Sequence, residues 1–244
     1  VDWGDGSAAE NVATNTKAQH RYNWADISSG TLTSEGFRQA VITVTPQGGQ
    51  TLQTIDFQQF HSECGSGTSA AFLEIKIGVT SSITLSNYST NVCYFPHLKI
   101  FTIDNYGASL SSTLFRGNAE GVRIVNINKS LNISGSGPFQ YLKSCKEFNF
   151  TGVTATDCSN LFLNCYGLKN APMIDTTGCS NFTSMFQNCY SLDYVPTYNT
   201  SSGTNFTSMF SGCSALIEAP YLNTVAGTNF TSMFSGCSNL KYIV

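Results

Sequence analysis

Charge is scarce in this chain. Asp, Glu, Lys and Arg make up 11% of its 244 residues, against about 25% in soluble domains generally. The 12 basic residues do not exceed the 15 acidic ones, and the net charge is −3. That balance argues against a nucleic-acid binder, which shows a basic excess. No apolar run approaches the roughly 20 residues a helix needs to cross a bilayer, so direct membrane insertion is not expected. Cys-x-x-Cys pairs are missing, and His20, His61 and His97 are scattered, a poor pattern for zinc. Gly-x-Ser-x-Gly, Walker and His-Glu-x-x-His patterns are missing as well, so those motif-borne chemistries have no support. Gly4-x-Gly6-x-x-Ala9 superficially fits a dinucleotide fingerprint, but no βαβ pattern follows it. No cofactor is expected. Low charge does not mean disorder here, because 41% of residues are hydrophobic and 12% aromatic. The polar share is Ser, Thr, Asn and Gly.

The strongest positive signal is an internal repeat. Asn181-Phe-Thr-Ser-Met-Phe186 recurs at 205–210 and 229–234, a step of 24 residues, and Cys189, Cys213 and Cys237 follow each copy. A degraded copy carries Cys158, Leu161, Phe162 and Cys165. A second pattern, apolar-x-x-apolar-x-apolar, starts at Leu52, Phe72, Leu98, Val122, Phe148, Leu168, Leu192 and Leu216, and Leu240 and Ile243 begin a ninth that is cut off. This hexad reads as a short strand. Phe206, Met209, Phe210 and Cys213 lie at i, i+3, i+4 and i+7, which reads as one face of a two-turn helix. Asn205 then serves as N-cap and Gly212 as C-terminal breaker. The expected fold is mainly β with short helices. It is a leucine-rich-repeat-like solenoid over residues 47–244, with one short strand and one short helix in each of about nine turns.

These units resemble the BspA-type leucine-rich repeats, specifically over 156–244 and more loosely over 50–155. Members of that family are typically surface proteins of bacteria, mycoplasmas and some protists, and phage structural proteins carry such repeats too. The resemblance implies adhesion or display, with no reaction attached. Residues 1–46 differ. Val1-Asp-Trp-Gly-Asp-Gly-Ser7, His20-x-Tyr22 and the alternating run 40–45 resemble the second half of a PKD-type immunoglobulin-like domain. The resemblance implies a partial β-sandwich whose first strands lie upstream, and a spacer role. The chain reads as a fragment or processed piece of a longer protein, with the break between its parts at the turn-rich 46–50.

Several chemical readings stay open. Cys165, Cys189, Cys213 and Cys237 form a structural column on the apolar face. They are read as reduced and packed, with disulfides between adjacent turns or a metal as alternatives. Asp2 and Asp5 could offer carboxylate oxygens to calcium, or could belong to a tight turn with Gly4 and Gly6 at positive φ. In the hexad, alternate residues point outward. Lys76, Ile100, Thr102, Asn126, Phe150, Asn170, Tyr194, Glu218 and Tyr242 therefore define a candidate binding face. Its partner would be a cell-surface protein or glycan, or further copies of the chain. The expected role is a non-enzymatic recognition or adhesion module, extracellular, on a virion (phage fibre or decoration protein) or a bacterial cell surface. A purely architectural, self-assembling element is the alternative. An accessory part of a carbohydrate-active enzyme would need paired carboxylates, which the spacing does not offer.

Overall fold

The computed structural model describes residues 1–13, three short strands between 54 and 85, residues 98–105 and residues 121–243. The chain divides into two units, Val1–Thr51 and Leu52–Val244. Of the first unit only the opening loop is described. The His20-x-Tyr22 motif, the run 40–45, the linker 46–50, Cys64 and Cys93 lie outside the described residues.

The second unit is mainly β. Eight strands are described: β1 Thr54–Ile55, β2 Glu74–Gly78, β3 Thr84–Leu85, β4 Ile100–Asn105, β5 Ile124–Ile127, β6 Leu131–Ile133, β7 Glu147–Phe150 and β8 Val153–Ala155. Every pairing is parallel. β2, β4, β5 and β7 make a four-stranded sheet in that order, while β1 pairs with β3 and β6 with β8. The register joins Glu74, Ile100, Ile124 and Glu147 in one line. In this four-stranded sheet each neighbour is the equivalent strand one repeat away. The first two hexads are not successive rungs as the pattern suggests: β1, from the Leu52 hexad, pairs with β3 and not with β2 of the Phe72 hexad. Alternation sends Phe101, Ile103, Val125, Ile127 and Phe148 into the core, where all are buried.

Strands end after β8, and only single bridges follow, such as Asn170↔Tyr194 and Glu218↔Tyr242. Pro172, Pro196 and Pro220 stand two residues after each bridge line and have no amide to donate. They also shift the burial phase. The hexad expects Met173, Thr197 and Tyr221 inside, yet these are exposed, and Ile174, Tyr198 and Leu222 turn inward instead. The hexad of β7 needs a different correction. Cys145, Phe148 and Phe150 fill the inward places, three residues earlier than the sequence pattern suggests, because Lys146 and Arg123 are in register and Val122 precedes Arg123 as Cys145 precedes Lys146.

The expected short helices are absent: the described residues contain no helix. Phe206, Met209, Phe210 and Cys213 are buried, but by hydrogen-bonded turns. Two left-handed residues four apart interrupt each copy. They are Asn160 and Asn164 (φ 54 and 62), Ser184 and Asn188 (55 and 61), Ser208 and Gly212 (54 and 81), and Ser232 and Gly236 (55 and 77). A right-handed helix cannot pass through such residues. The amides divide their work instead. Phe182, Ser184, Phe186 and Asn188 donate to the carbonyls of Asn205, Thr207, Met209 and Ser211 in the next rung. Met185, Gln187 and Cys189 close turns on Phe182, Ser184 and Phe186. The same alternation links 206–212 to 229–235. Asn205 caps a turn rather than a helix: its Oδ1 accepts from the Thr207 amide at 3.0 Å and from the Thr207 hydroxyl at 2.7 Å. Asn181 and Asn229 do the same for Thr183 and Thr231.

Two columns of phenylalanine fill the interior. Phe162, Phe186, Phe210 and Phe234 stack at 5.4, 5.6 and 5.5 Å, all within 9° of parallel. Phe182, Phe206 and Phe230 stack at 5.3 Å, within 5°. Each such pair adds about 0.5–1.5 kcal/mol beyond burial. Beside the second column the chain carries Gly203 and Gly227, where a Cβ would run into the rings of Phe206 and Phe230. One rung earlier the equivalent positions are Cys158 for the Phe and Cys179 for the Gly, and these two form a disulfide. The bridge thus stands where the ring column would otherwise continue.

Two expectations follow. Gly203→Ala overpacks the ring column and lowers stability by about 1–3 kcal/mol in urea titration. The double variant Cys158→Phe, Cys179→Gly rebuilds the ring-against-glycine arrangement. It folds in dithiothreitol with a melting temperature that no longer responds to reductant, whereas the parent loses stability on reduction.

Candidate functional site

The thiol column lies in the core. Cys165, Cys189 and Cys213 are fully buried, and Cys237 is half-buried in the last rung. All four are free, as is Cys145. Each thiol donates to a carbonyl of the preceding rung: Cys165 to Phe139 at 3.1 Å, Cys189 to Phe162 at 3.2 Å, Cys213 to Phe186 and Cys237 to Phe210 at 3.1 Å each. Burial pushes these thiols away from ionisation. Cys145 is raised from 9.0 to about 12, chiefly by desolvation, and Cys165, Cys189, Cys213 and Cys237 are raised for the same first reason. Such thiols are poor nucleophiles. The one disulfide among the described residues uses Cys158 and Cys179, outside the column.

Asp2 and Asp5 organise the opening loop. The Gly4 amide donates to Asp2 Oδ1 at 2.9 Å, and the Ser7 amide and hydroxyl donate to Asp5 Oδ1 at 3.1 and 2.7 Å. Gly4 and Gly6 take φ of 71° and 86°. No group of three metal-ligating side chains occurs among the described residues.

The candidate binding face separates into two parts. In the sheet, Thr102 is buried, which removes it from any open surface, and Asn126 is half-buried. They are tied together, Asn126 Nδ2 donating to Thr102 Oγ1 at 3.1 Å and Asn149 Nδ2 donating to Asn126 Oδ1 at 2.9 Å. Ile100 is half-buried. Phe150 does not point outward. Its ring lies 5.3 Å from Phe139 and 5.8 Å from Phe148, against the core, because the hexad there is shifted as described above. Lys76 lies in β2, in register with Thr102, and its side chain is outside the described residues. In the later rungs Asn170, Tyr194, Glu218 and Tyr242 are all exposed, the two tyrosines by 59% and 62%. Bridges pair Asn170 with Tyr194 and Glu218 with Tyr242. Tyr166 and Tyr190 stack on each other at 4.8 Å, a pair the hexad reading missed. Its signal in the sequence is the repeat step itself, 24 residues between the two tyrosines.

Residues 141–243 match a family described as Mycoplasma protein of unknown function, DUF285. The matched segment holds β7, β8 and the rungs with the phenylalanine and thiol columns. No curated protein matches the chain, and no solved structure does.

The raised thiols make stability depend on pH in one direction. They are neutral in the folded chain, whereas unfolded thiols ionise near the ordinary 9.0. Their contribution is complete below pH 9 and falls as pH rises from there towards the folded values. Urea midpoints measured from pH 7 to 11 should therefore decline above about 9. Among the described free thiols, alkylation by iodoacetamide under native conditions should reach Cys237 first and leave Cys165 and Cys189 intact.

Proposed function

We infer that the chain is a non-enzymatic recognition or adhesion module, displayed outside the cell on a virion or a bacterial surface. Its scaffold is a solenoid of BspA-like repeats, and its first residues belong to a PKD-like spacer. One observation carries this reading. The exposed line Asn170, Tyr194, Glu218 and Tyr242 sits on rungs whose interiors are given over to packed rings and neutral thiols. Aromatic side chains held on rigid backbone are effective contact groups, since they lose little conformational freedom on binding. Repeat stacks commonly bind along such an extended face.

Immunogold electron microscopy of the source culture, with antibody against residues 98–243, tests display. Gold on virus particles or on cell envelopes is the expected result, and gold confined to the cell interior would sink the proposal. The variant Tyr194→Ala, Tyr242→Ala should keep its melting temperature, because both rings are exposed. It should lose about tenfold in affinity for the labelled target surface, as expected for aromatic contact groups.

A further inference from the structure

Basic residues are few, but in the described part they are not scattered. The side chains of seven are described: Lys99, Arg123, Lys129, Lys143, Lys146, Lys169 and Lys241. Four of them fall in one line. The Arg123 amide donates to the Lys99 carbonyl at 2.8 Å, and the Lys146 amide to the Arg123 carbonyl at 2.9 Å. Lys169 holds the equivalent place one rung on, since the Asp193 amide donates to its carbonyl at 3.0 Å just as Lys146 does to Arg123. Parallel rungs lie about 4.8 Å apart, so the four positions extend over roughly 15 Å. The line ends where Lys169 Nζ meets Asp193 Oδ2 at 3.5 Å. Lys143 joins it from the neighbouring turn, its carbonyl bonded to the Gly167 amide at 2.9 Å.

Arg123, Lys143, Lys146, Ser144, Tyr166 and Gly167 line one shallow, open depression of about 440 Å³. Arg123 and Lys146 are exposed, and Lys143 and Tyr166 half-buried. The Tyr166 ring is stacked on Tyr190, which is 46% exposed. The one acidic neighbour on the strand, Glu147, lies in the adjacent line, in register with Ile124. The remaining acidic residues of the later rungs are Asp157, Asp175, Asp193 and Glu218.

We propose that this basic line is a binding track for a linear anionic polysaccharide, one bearing repeated sulfate or carboxylate groups. The site is too open to enclose a small molecule, and its cations follow one another at single-rung spacing, which suits a polymer lying along the stack. Arg123 offers a planar fork that matches sulfate and carboxylate oxygens. The tyrosine pair supplies an apolar ring face with a polar edge, the surface on which a sugar ring packs. A nucleic-acid duplex fits less well. It needs a broad basic footprint, and here the positive strip is narrow, widened only by Lys143, and ends at Asp193. The proposal rests on the recognition reading above and names its ligand class.

The test uses the full chain and two probes, dextran sulfate and neutral dextran of equal length, in affinity electrophoresis. Dextran sulfate should retard the protein, increasingly so as salt is lowered, and neutral dextran should not. The double variant Arg123→Ala, Lys146→Ala should bind about tenfold more weakly, as two charge contacts are lost. Lys241→Ala, on a distant rung, removes a charge without touching the track and should change affinity less than twofold. All three residues are exposed, and unchanged thermal melts show that the variants fold. No binding of dextran sulfate, equal losses in Lys241→Ala and the double variant, or duplex DNA binding as tightly through the same residues would each overturn the proposal. Surface labelling by immunogold with no dextran sulfate binding would sink this ligand class alone and leave the display reading standing.

Discussion

Hydrogen bonding from one rung to the next, through every second amide of a turn, is the constraint from which the later half of the structure follows. An ordinary strand meets its neighbour with alternate amides, and so do these turns, although they are not strands. Phe182, Ser184, Phe186 and Asn188 can all face the next rung only because Ser184 and Asn188 take left-handed backbone. Left-handed conformation is unfavourable for serine. It persists at Ser184 and Ser208, whose turns are bonded to the rungs on both sides, and at Ser232, whose turn is bonded to the rung before it. Gly212 and Gly236 relieve the strain at the second site. A Cβ on Gly212 would come 2.6 Å from Asn188 Oδ1, so the change from Asn to Gly along that line also relieves crowding.

With the backbone held in register, the side chains have little choice. Rings at equivalent positions stack face to face, within 9° of parallel, because the step that carries one onto the next is close to a translation of the rung. The thiols share this logic, each donating to a carbonyl one rung back. The disulfide of Cys158 and Cys179 is the place where the pattern changes. There the ring-against-glycine pair is replaced by a covalent link, next to the transition from true strands to single bridges.

The repeat was legible because buried residues are the ones under the tightest steric control, and Phe, Met and Cys return every 24 residues. The shape of each unit was not. An i, i+3, i+4, i+7 pattern reports which side chains share a side. A chain reversing by tight turns around left-handed residues produces the same spacing as a helix. Asn160, Asn164 and Asn188 hinted at left-handed backbone, but Ser184, Ser208 and Ser232 carry no such hint. Outward positions in the strands were legible only where the hexad was correctly phased. Phe150 was misassigned because Cys145, not Phe148, opens its hexad. Thr102 alternates as expected along β4 and is nevertheless buried, which a single-strand pattern cannot reveal. The basic line was invisible for another reason: its members come 24, 23 and 23 residues apart, drifting with the irregular early repeats, and only the register aligns them.

The identity of successive interfaces also bears on how such a chain can change over generations. The surface that residues 181–188 present to the next rung is reproduced by residues 205–212. Removing 24 codons between Ser180 and Asn205 would therefore rejoin Asn205 to the same neighbour that Asn181 had, with rings, amides and asparagine turns in place. Duplication works equally well in reverse. The length of the array is thus open to change by simple slippage of the gene, while the packing problem has to be solved only once.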